Sequence, residues 1–434
     1  MKFKIHRGTK EIGGSCVEVW TDTTRILLDF GMPLFDTDGS DFDFEKYRSA
    51  TAGELVKSGV LPDIHGLYEG SDPTIDAVII SHPHQDHYGL INFISKDIRF
   101  VMGEATHKII EINNLFTRQN IRIEKGFFFT RSQTFQVGDF FITPYWADHS
   151  AFDSYSLCVK AGDRAIFYSG DFRNHGRKPG AFRWLVNNPP ENINYLLLEG
   201  TAIGRQTGRF KTEPEIEREL EVISRQAGKI ILLYTSGQNI DRIVSAYRAC
   251  LRTGRIMVVD VYVATILKEL SPFGGIPYPS EQFKNLRVMF PYFTSRRLTN
   301  EGNEKILYQF RKFKITKGEI SRLAGKIVML VRPSMQKDLE RIPGIAGGNI
   351  IYSLWEGYLQ KPGTSKFIDY LINRGFTLHK IHTSGHAGTR ALQQMADAIK
   401  PEYIVPIHTF IGSEYQKIFS TPVIEVKDGE VVGV

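Results

Sequence analysis

The 434-residue sequence predicts an α/β protein in which a strand-rich host carries an inserted domain of alternating strands and helices. Three observations lead there. Residues 1–200 read as short runs rich in β-branched and aromatic residues, parted by glycine turns, which is the pattern of strands. Residues 201–370 alternate helical and strand patterns in the rhythm of a parallel sheet. Residues 371–434 return to short strands and one amphipathic helix. No flexible linker separates these parts, so the middle segment is expected as an insert packed on its host.

In the first part, strands are expected at 16–20, 25–29, 77–81, 140–145, 156–159, 165–169 and 195–198, many of them ending in a polar or charged residue. After Glu199, Thr212 and Glu215 stand at capping-box spacing, and Ile216, Leu220 and Ile223 follow on one helical face. A strand at 229–234, a helix near 241–252 and a strand at 255–259 continue the alternation, with further strands at 327–331 and 350–353. Near the end, Leu392, Met395 and Ile399 share one face of a helix that Pro401 closes.

Hydrophobic residues at 42% and charged residues at 24% are those of a globular protein. The first twenty residues lack the apolar run of a signal peptide. No window reaches the roughly 18 apolar residues that cross a membrane, so a cytoplasmic protein without membrane contact is expected. Cys16, Cys158 and Cys250 are scattered and odd in number, giving neither a disulfide framework nor a CxxC site. Any metal must therefore be held by His and carboxylates. The net charge of +6 is unevenly spread: residues 201–380 hold 29 Lys and Arg against 16 Asp and Glu, leaving 25 against 32 elsewhere. A basic segment in an otherwise acidic chain is the footprint of a polyanion-binding surface, although a solvated lysine-rich face would give the same count.

The chemistry concentrates in Ser81-His82-Pro83-His84-Gln85-Asp86-His87, an HxHxDH run directly after an apolar strand. Residues two apart in an extended chain project to one side, so His82 and His84 can converge on one cation. A turn into a helix then presents Asp86 and His87 to a second cation nearby. Imidazoles with carboxylates and no thiolate suit Zn²⁺, with Mn²⁺ as the alternative. Further ligands stand at other strand ends: His149 after 140–145, Asp171 after 165–169, and Asp29 at the end of Ile26-Leu27-Leu28-Asp29. Alone, each would read as a turn residue. In this order they reinforce one another.

The series Asp29, His82-x-His84-x-Asp86-His87, His149, Asp171 resembles the metallo-β-lactamase superfamily. The later segments resemble its β-CASP branch of nucleic-acid nucleases, in particular the ribonuclease J form. Leu198-Glu199-Gly200-Thr201 is similar to the acidic motif before the insert, His382-Thr383-Ser384-Gly385-His386-Ala387 to the second motif and Pro406-Ile407-His408 to the third; Glu11-Ile12-Gly13-Gly14 is similar to the opening. The resemblance implies a metallo-β-lactamase αββα sandwich with an inserted β-CASP α/β domain. It implies two divalent metal ions: His82, His84 and His149 on one, Asp86, His87 and His408 on the other, and Asp171 bridging. Glu199 and Asp29 would orient ligands from behind, as metal-bound imidazoles usually donate their other N–H to a carboxylate or carbonyl.

Ser384 and His386 would lie near the scissile phosphate, with a helix cap as the bland role for His386. Asp86, His386 and Glu199 make up the expected catalytic set. The activity implied is phosphodiester hydrolysis by a metal-activated water, with Asp86 as the candidate proton acceptor and His386 as the proton donor. RNA is the expected substrate because DNA-repair members of the branch typically carry valine at the third motif, where this chain has His408. A DNA nuclease and a small-molecule hydrolase of lactonase or thioesterase type are the alternatives, and a binding protein with a decayed site is a further one.

In the insert, Arg205, Arg209, Lys211, Arg296, Arg297, Arg311, Lys312, Lys314 and Lys317 are candidates to track single-stranded RNA across a cleft between the domains. The aromatics of Phe290-Pro291-Tyr292-Phe293 and Tyr308-Gln309-Phe310 either stack bases or fill the insert's core. A homodimer is left open. The chain departs from the pattern at Val331-Arg332-Pro333-Ser334 and Ser353-Leu354-Trp355-Glu356, where ribonuclease J has Ser/Gly-rich loops, and at Glu199-Gly200-Thr201, where Glu-Ser-Thr is usual. Exonuclease and endonuclease action are both open.

Overall fold

Two β-sheets face each other across a dry core in the computed structural model, which describes residues 1–36, 38–117, 119–205 and 208–434. The chain divides into two compact units, one of Met1–Asn174, Lys178–Arg209 and Gly385–Val434, the other of His175–Arg177 and Phe210–Ser384.

The first unit holds a seven-stranded and a six-stranded sheet. In spatial order the first sheet runs Val431–Gly433, Lys2–Arg7, Cys16–Trp20, Arg25–Leu28, Ala77–Ile79, Arg99–Gly103, Gly126–Phe129. The second runs Tyr403–Ile407, Tyr195–Glu199, Arg164–Tyr168, Ser154–Ala161, Phe140–Ala147, Phe135–Val137. Alternation along each strand sends one set of side chains inward: Phe3, Ile5, Val17, Ile26 and Ile79 of the first sheet pack against Ile142, Leu157, Ile166, Leu197 and Val405 of the second. The opposite set turns to helices. Leu27, Val78 and Phe100 pack with Leu55 and Ile110, while Phe167, Leu196 and Leu198 pack with Phe182, Leu392 and Met395. Helix, sheet, sheet, helix is therefore the layer order of this unit, as four apolar faces require.

The second unit is built on a six-stranded parallel sheet in the order Leu286–Met289, Ile256–Asp260, Ile327–Val331, Ile231–Tyr234, Gly348–Tyr352, Phe376–Lys380. The capping box at Thr212 opens the helix Glu213–Gln226, and the left-handed Gly254 closes Ile240–Thr253. Two expectations need correction. The return to the first unit was placed at residue 371, but Phe376–Lys380 pairs in parallel with Gly348–Tyr352, which keeps the chain in the second unit to Ser384. The insert was expected to begin at residue 201, yet contacts hold Arg205 and Arg209 in the first unit.

Cys16, Cys158 and Cys250 are free and buried. Burial pushes the Cys158 thiol up to about 11 and the Cys250 thiol up to about 12, as befits core residues. Among the described residues no helix is long and apolar enough to cross a membrane.

Candidate metal centre

The HxHxDH run begins where the strand Ala77–Ile79 stops, two residues earlier than the apolar pattern suggests. His84 keeps extended backbone (φ −87°, ψ 144°) and caps the four-residue helix Gln85–Tyr88, which carries Asp86 and His87. The preceding loop is tied to this turn: Phe30 N donates to His87 O, Met32 N to Gln85 O and Ser15 N to Asp86 O. Gly31 permits that approach, since a Cβ there would fall 1.7 Å from the Asp86 carbonyl oxygen.

Around this turn the first unit assembles His82, His84, His149 and Asp171 as one group whose donor atoms lie within 4.8 Å of one another, and Asp86, His87, Asp171 and His408 as a second. A third group joins Asp171 and His408 to Glu199 and His386. Asp171 is common to all three. Its Oδ2 lies 3.7 Å from His82 Nε2, 3.3 Å from His87 Nε2 and 3.9 Å from His149 Nε2, while Oδ1 is 3.8 Å from His408 Nδ1. His408 Nε2 is 3.4 Å from Asp86 Oδ2, and His149 Nε2 is 3.1 Å from His84 Nδ1.

Behind these groups stands a layer of hydrogen bonds. Asp29, fully buried and with a left-handed φ of 61°, accepts from His87 Nδ1 at 2.7 Å, Ser81 N at 2.7 Å, Ser81 Oγ at 2.7 Å and Tyr168 OH at 2.8 Å. His82 Nδ1 reaches the same Ser81 hydroxyl at 3.0 Å, and His149 Nδ1 donates to the Gly385 carbonyl at 2.6 Å. His408, also left-handed at φ 56°, shares a 2.8 Å hydrogen bond between Nδ1 and the Thr201 hydroxyl. Glu199 accepts from the backbone N–H of Thr201 at 3.0 Å and of Ala387 at 3.3 Å, and lies 3.6 Å from His386 Nδ1. Its neighbours are thus His386 and backbone amides rather than the imidazoles of the HxHxDH run.

Ser81, Tyr168, Thr201 and the Gly385 carbonyl escape sequence reasoning. Only Tyr168 carried a signal: a phenol inside an apolar strand must find a partner for its hydroxyl. Ser384, expected beside His386, belongs to the second unit, where its carbonyl oxygen is 2.9 Å from His175 Nε2.

The electrostatics separate the imidazoles. Burial holds His82 and His149 well below their usual range and takes His84 down to about 4, so these three stay neutral with lone pairs to offer. Burial opposes charge on His87 as well, but Asp171 and Asp29 outweigh it and raise that imidazole well above its usual range. For His386 burial is again outweighed, by Asp171 and then Glu199, and the imidazole rises to about 9. Burial would push Asp171 up, but His408, His87 and His386 keep it well below the carboxylate range; Asp86 is kept low against burial chiefly by its hydrogen bond with His408.

His82 Nε2, His87 Nε2 and both oxygens of Asp171 are buried without a hydrogen-bond partner. Leaving such atoms unsatisfied costs about 1–3 kcal/mol each. Converging imidazole and carboxylate donors whose inner atoms lack partners fit divalent metal binding.

A model of the beta-lactamase superfamily domain matches residues 63–228, and one of the Zn-dependent metallo-hydrolase RNA specificity domain matches residues 372–410. Ribonuclease J of Helicobacter pylori (strain ATCC 700392 / 26695) is 22% identical over 416 residues, covering 92% of this chain and 55% of that protein. These matches support a metallo-β-lactamase/β-CASP protein that is ribonuclease J-like. Ribonuclease J of Mycoplasma genitalium is 23% identical over 427 residues, with 94% and 67% coverage, and an RNase J-like protein of Methanocaldococcus jannaschii is 25% identical over 284 residues, with 60% and 57% coverage. This ribonuclease J-like chain spans about half the length of the Helicobacter relative. In fold it is similar to a protein of unknown function from Enterococcus faecalis V583, with a TM-score of 0.79, 20% identity and 99% of each chain covered. The two matched domains between them contain every metal-centre residue named above except Asp29.

Proposed function

We propose that the chain is a metal-dependent phosphodiester hydrolase acting on single-stranded RNA, with two divalent cations, Zn²⁺ for preference. The carrying observation is the shared Asp171, whose partnerless buried oxygens lie within 4 Å of His82 and His149 of one group and of His87 and His408 of the other. In this reading His82, His84 and His149 hold one cation, Asp86, His87 and His408 the other, and Asp171 both. Such cations, when bound, lower the pKa of a water and offset negative charge building on a phosphate oxygen.

The chain's own groups supply the rest. Asp29 accepts from His87 Nδ1, so Nε2 is the nitrogen that would lose its proton to a cation; the Gly385 carbonyl accepts from Nδ1 of the neutral His149, whose Nε2 keeps a lone pair. His386, raised to about 9, is protonated at neutral pH; its Nδ1 lies 3.6 Å from both Asp171 and Glu199, and the imidazolium is the group proposed to protonate a departing oxygen. Asp86, held low against burial chiefly by its hydrogen bond with His408, would serve as a ligand. RNA is favoured by the match to an RNA specificity domain over the stretch that holds His386 and His408, and by the ribonuclease J relatives.

The test incubates metal-loaded protein with end-labelled single-stranded RNA, the matching DNA and a chromogenic lactone, beside His84→Ala. Cleavage of RNA that the variant loses supports the reading. Preference for DNA or lactone, or equal cleavage by the variant, overturns it.

A further inference from the structure

Two exposed phenylalanines lie on segments that carry or adjoin metal-centre residues, and nothing in the proposed chemistry uses them. Phe35 and Phe410 are each 42% exposed, with ring centroids 6.3 Å apart. Both are delivered by anchored backbone. Phe410 follows His408 by two residues, past the fully buried Thr409. Phe35 follows the loop pinned to the Asp86 turn, and its neighbour Pro33 bridges Gly13. Both rings are thus carried by segments that meet near the Asp86–His408 contact: a Cβ at Gly13 would lie 2.8 Å from Leu34 Cγ and 3.2 Å from Asp86 Cβ, so the residue before Phe35 packs beside Asp86. A cation completes the cluster: the Arg205 guanidinium lies over the Phe410 ring, 5.1 Å from its centroid. The preceding Gly204 packs closely on Ile411, where a Cβ would meet Cδ1 at 2.4 Å.

Paired open rings beside a hydrolytic centre, with a guanidinium over one of them, match an unstacked nucleobase and its phosphate. Core packing does not account for them, because a large part of each ring is exposed. Nor is the cluster a plain basic patch, because a patch that only neutralised phosphate would need no aromatic surface.

We infer that Phe35, Phe410 and Arg205 form a base-stacking subsite for the nucleotide next to the scissile phosphate, on the Asp86–His408 side of the metal centre. The inference rests on the proposed hydrolysis of single-stranded RNA and adds the position of one base. The cluster selects unpaired strands, because a base stacked inside a duplex has no free face to offer a ring.

The test uses the full chain in chelator, so that cleavage does not intervene, and a short single-stranded RNA carrying 2-aminopurine. Stacking on the rings should quench its fluorescence. Phe410→Ala and Phe35→Ala should each weaken binding about 5- to 100-fold. Phe410→Tyr should restore it, and RNA with an abasic residue at that position should bind wild type and Phe410→Ala alike. Metal-loaded Phe410→Ala should show the same loss in kcat/KM on RNA, with a wild-type melting temperature. If wild type binds and cuts RNA while both alanine variants match it, the stacking subsite is wrong and the hydrolase reading stands. If wild type neither binds nor cuts RNA, both fall together.

Discussion

Asp29→Asn tests the metal centre without touching a metal-facing atom. The carboxylate accepts four hydrogen bonds, from His87 Nδ1, Ser81 N, Ser81 Oγ and Tyr168 OH. An amide of the same size can keep its oxygen at Oδ1, accepting from Ser81 N, but must present an NH₂ where Oδ2 now accepts from His87. That reverses the bond: the amide donates to Nδ1, and the ring proton moves to Nε2, the atom 3.3 Å from Asp171. His87 then points a hydrogen where a cation needs a lone pair. Losing such an outer partner typically costs 10- to 100-fold in metal affinity, about 1.4–2.7 kcal/mol. The assay is competition for Zn²⁺ against a chromophoric chelator, with circular dichroism melts to show that the fold survives. A folded variant with wild-type metal affinity would refute the claim that Asp29 sets the His87 tautomer.

Other expectations are equally direct. His386→Ala should keep its metals, measured by mass spectrometry, and lose about 10²- to 10⁴-fold in single-turnover rate. Adding Zn²⁺ to chelator-stripped protein at 100 times its dissociation constant should stabilise the native state by about 2.7 kcal/mol, read as a rise in melting temperature, because it completes the buried Asp171 oxygens. Glu18, whose side chain is 3% exposed, bonds His6 at 2.6 Å and Arg25; burial pushes its pKa up, but these two hold it below the ordinary value of 4.5. A lowered folded pKa gives stability that is complete above the ordinary value and fades as pH falls through the folded one. Glu18→Gln should therefore melt lower than wild type at pH 7, by the equivalent of about 1–3 kcal/mol, and the gap should narrow as pH falls below the ordinary value of 4.5.

Much of this was legible in the sequence because strand burial and ligand chemistry both leave marks on residue type. The run 327–331 coincides with the strand Ile327–Val331, and 16–20 with Cys16–Trp20, since both are dominated by apolar residues. Lys2–Arg7 escaped because it alternates charge with Phe3 and Ile5, so no continuous apolar run announces it. The insert's aromatics show the limit more sharply. Phe310 is 1% exposed and fills the core, whereas Tyr308 two residues earlier is 65% exposed, and nothing in Tyr308-Gln309-Phe310 tells which ring turns inward. The basic residues divide similarly: Lys211, Lys312 and Lys317 are engaged by Glu219, Glu281 and Asp338, a pairing that charge counts cannot see. Backbone partners such as the Gly385 carbonyl leave no trace in residue type at all.

The site residues converge because of strand direction. Arg164–Tyr168, Tyr195–Glu199 and Tyr403–Ile407 are mutually parallel, and Phe140–Ala147 joins them in direction through two antiparallel steps across Ser154–Ala161. Their C-terminal ends therefore leave the second sheet at one edge, each followed or closed by a site residue: Asp171, Glu199, His408 and His149. In the facing sheet Arg25–Leu28 and Ala77–Ile79 are parallel as well, which brings Asp29 and His82 out together. A polar residue at a strand end is ordinary in any one strand. Placed after four strands of one sheet that point the same way and two of the facing sheet that do likewise, it becomes a ring of donors, and register decides whether the ring closes. Glu199 lies opposite Ile407, so the residues that follow, Thr201 and His408, meet across the parallel pair. A slip of one residue would send His408 to the opposite face and leave Asp86 without its partner. The metal centre is thus a property of the sheet's pairing as much as of its histidines.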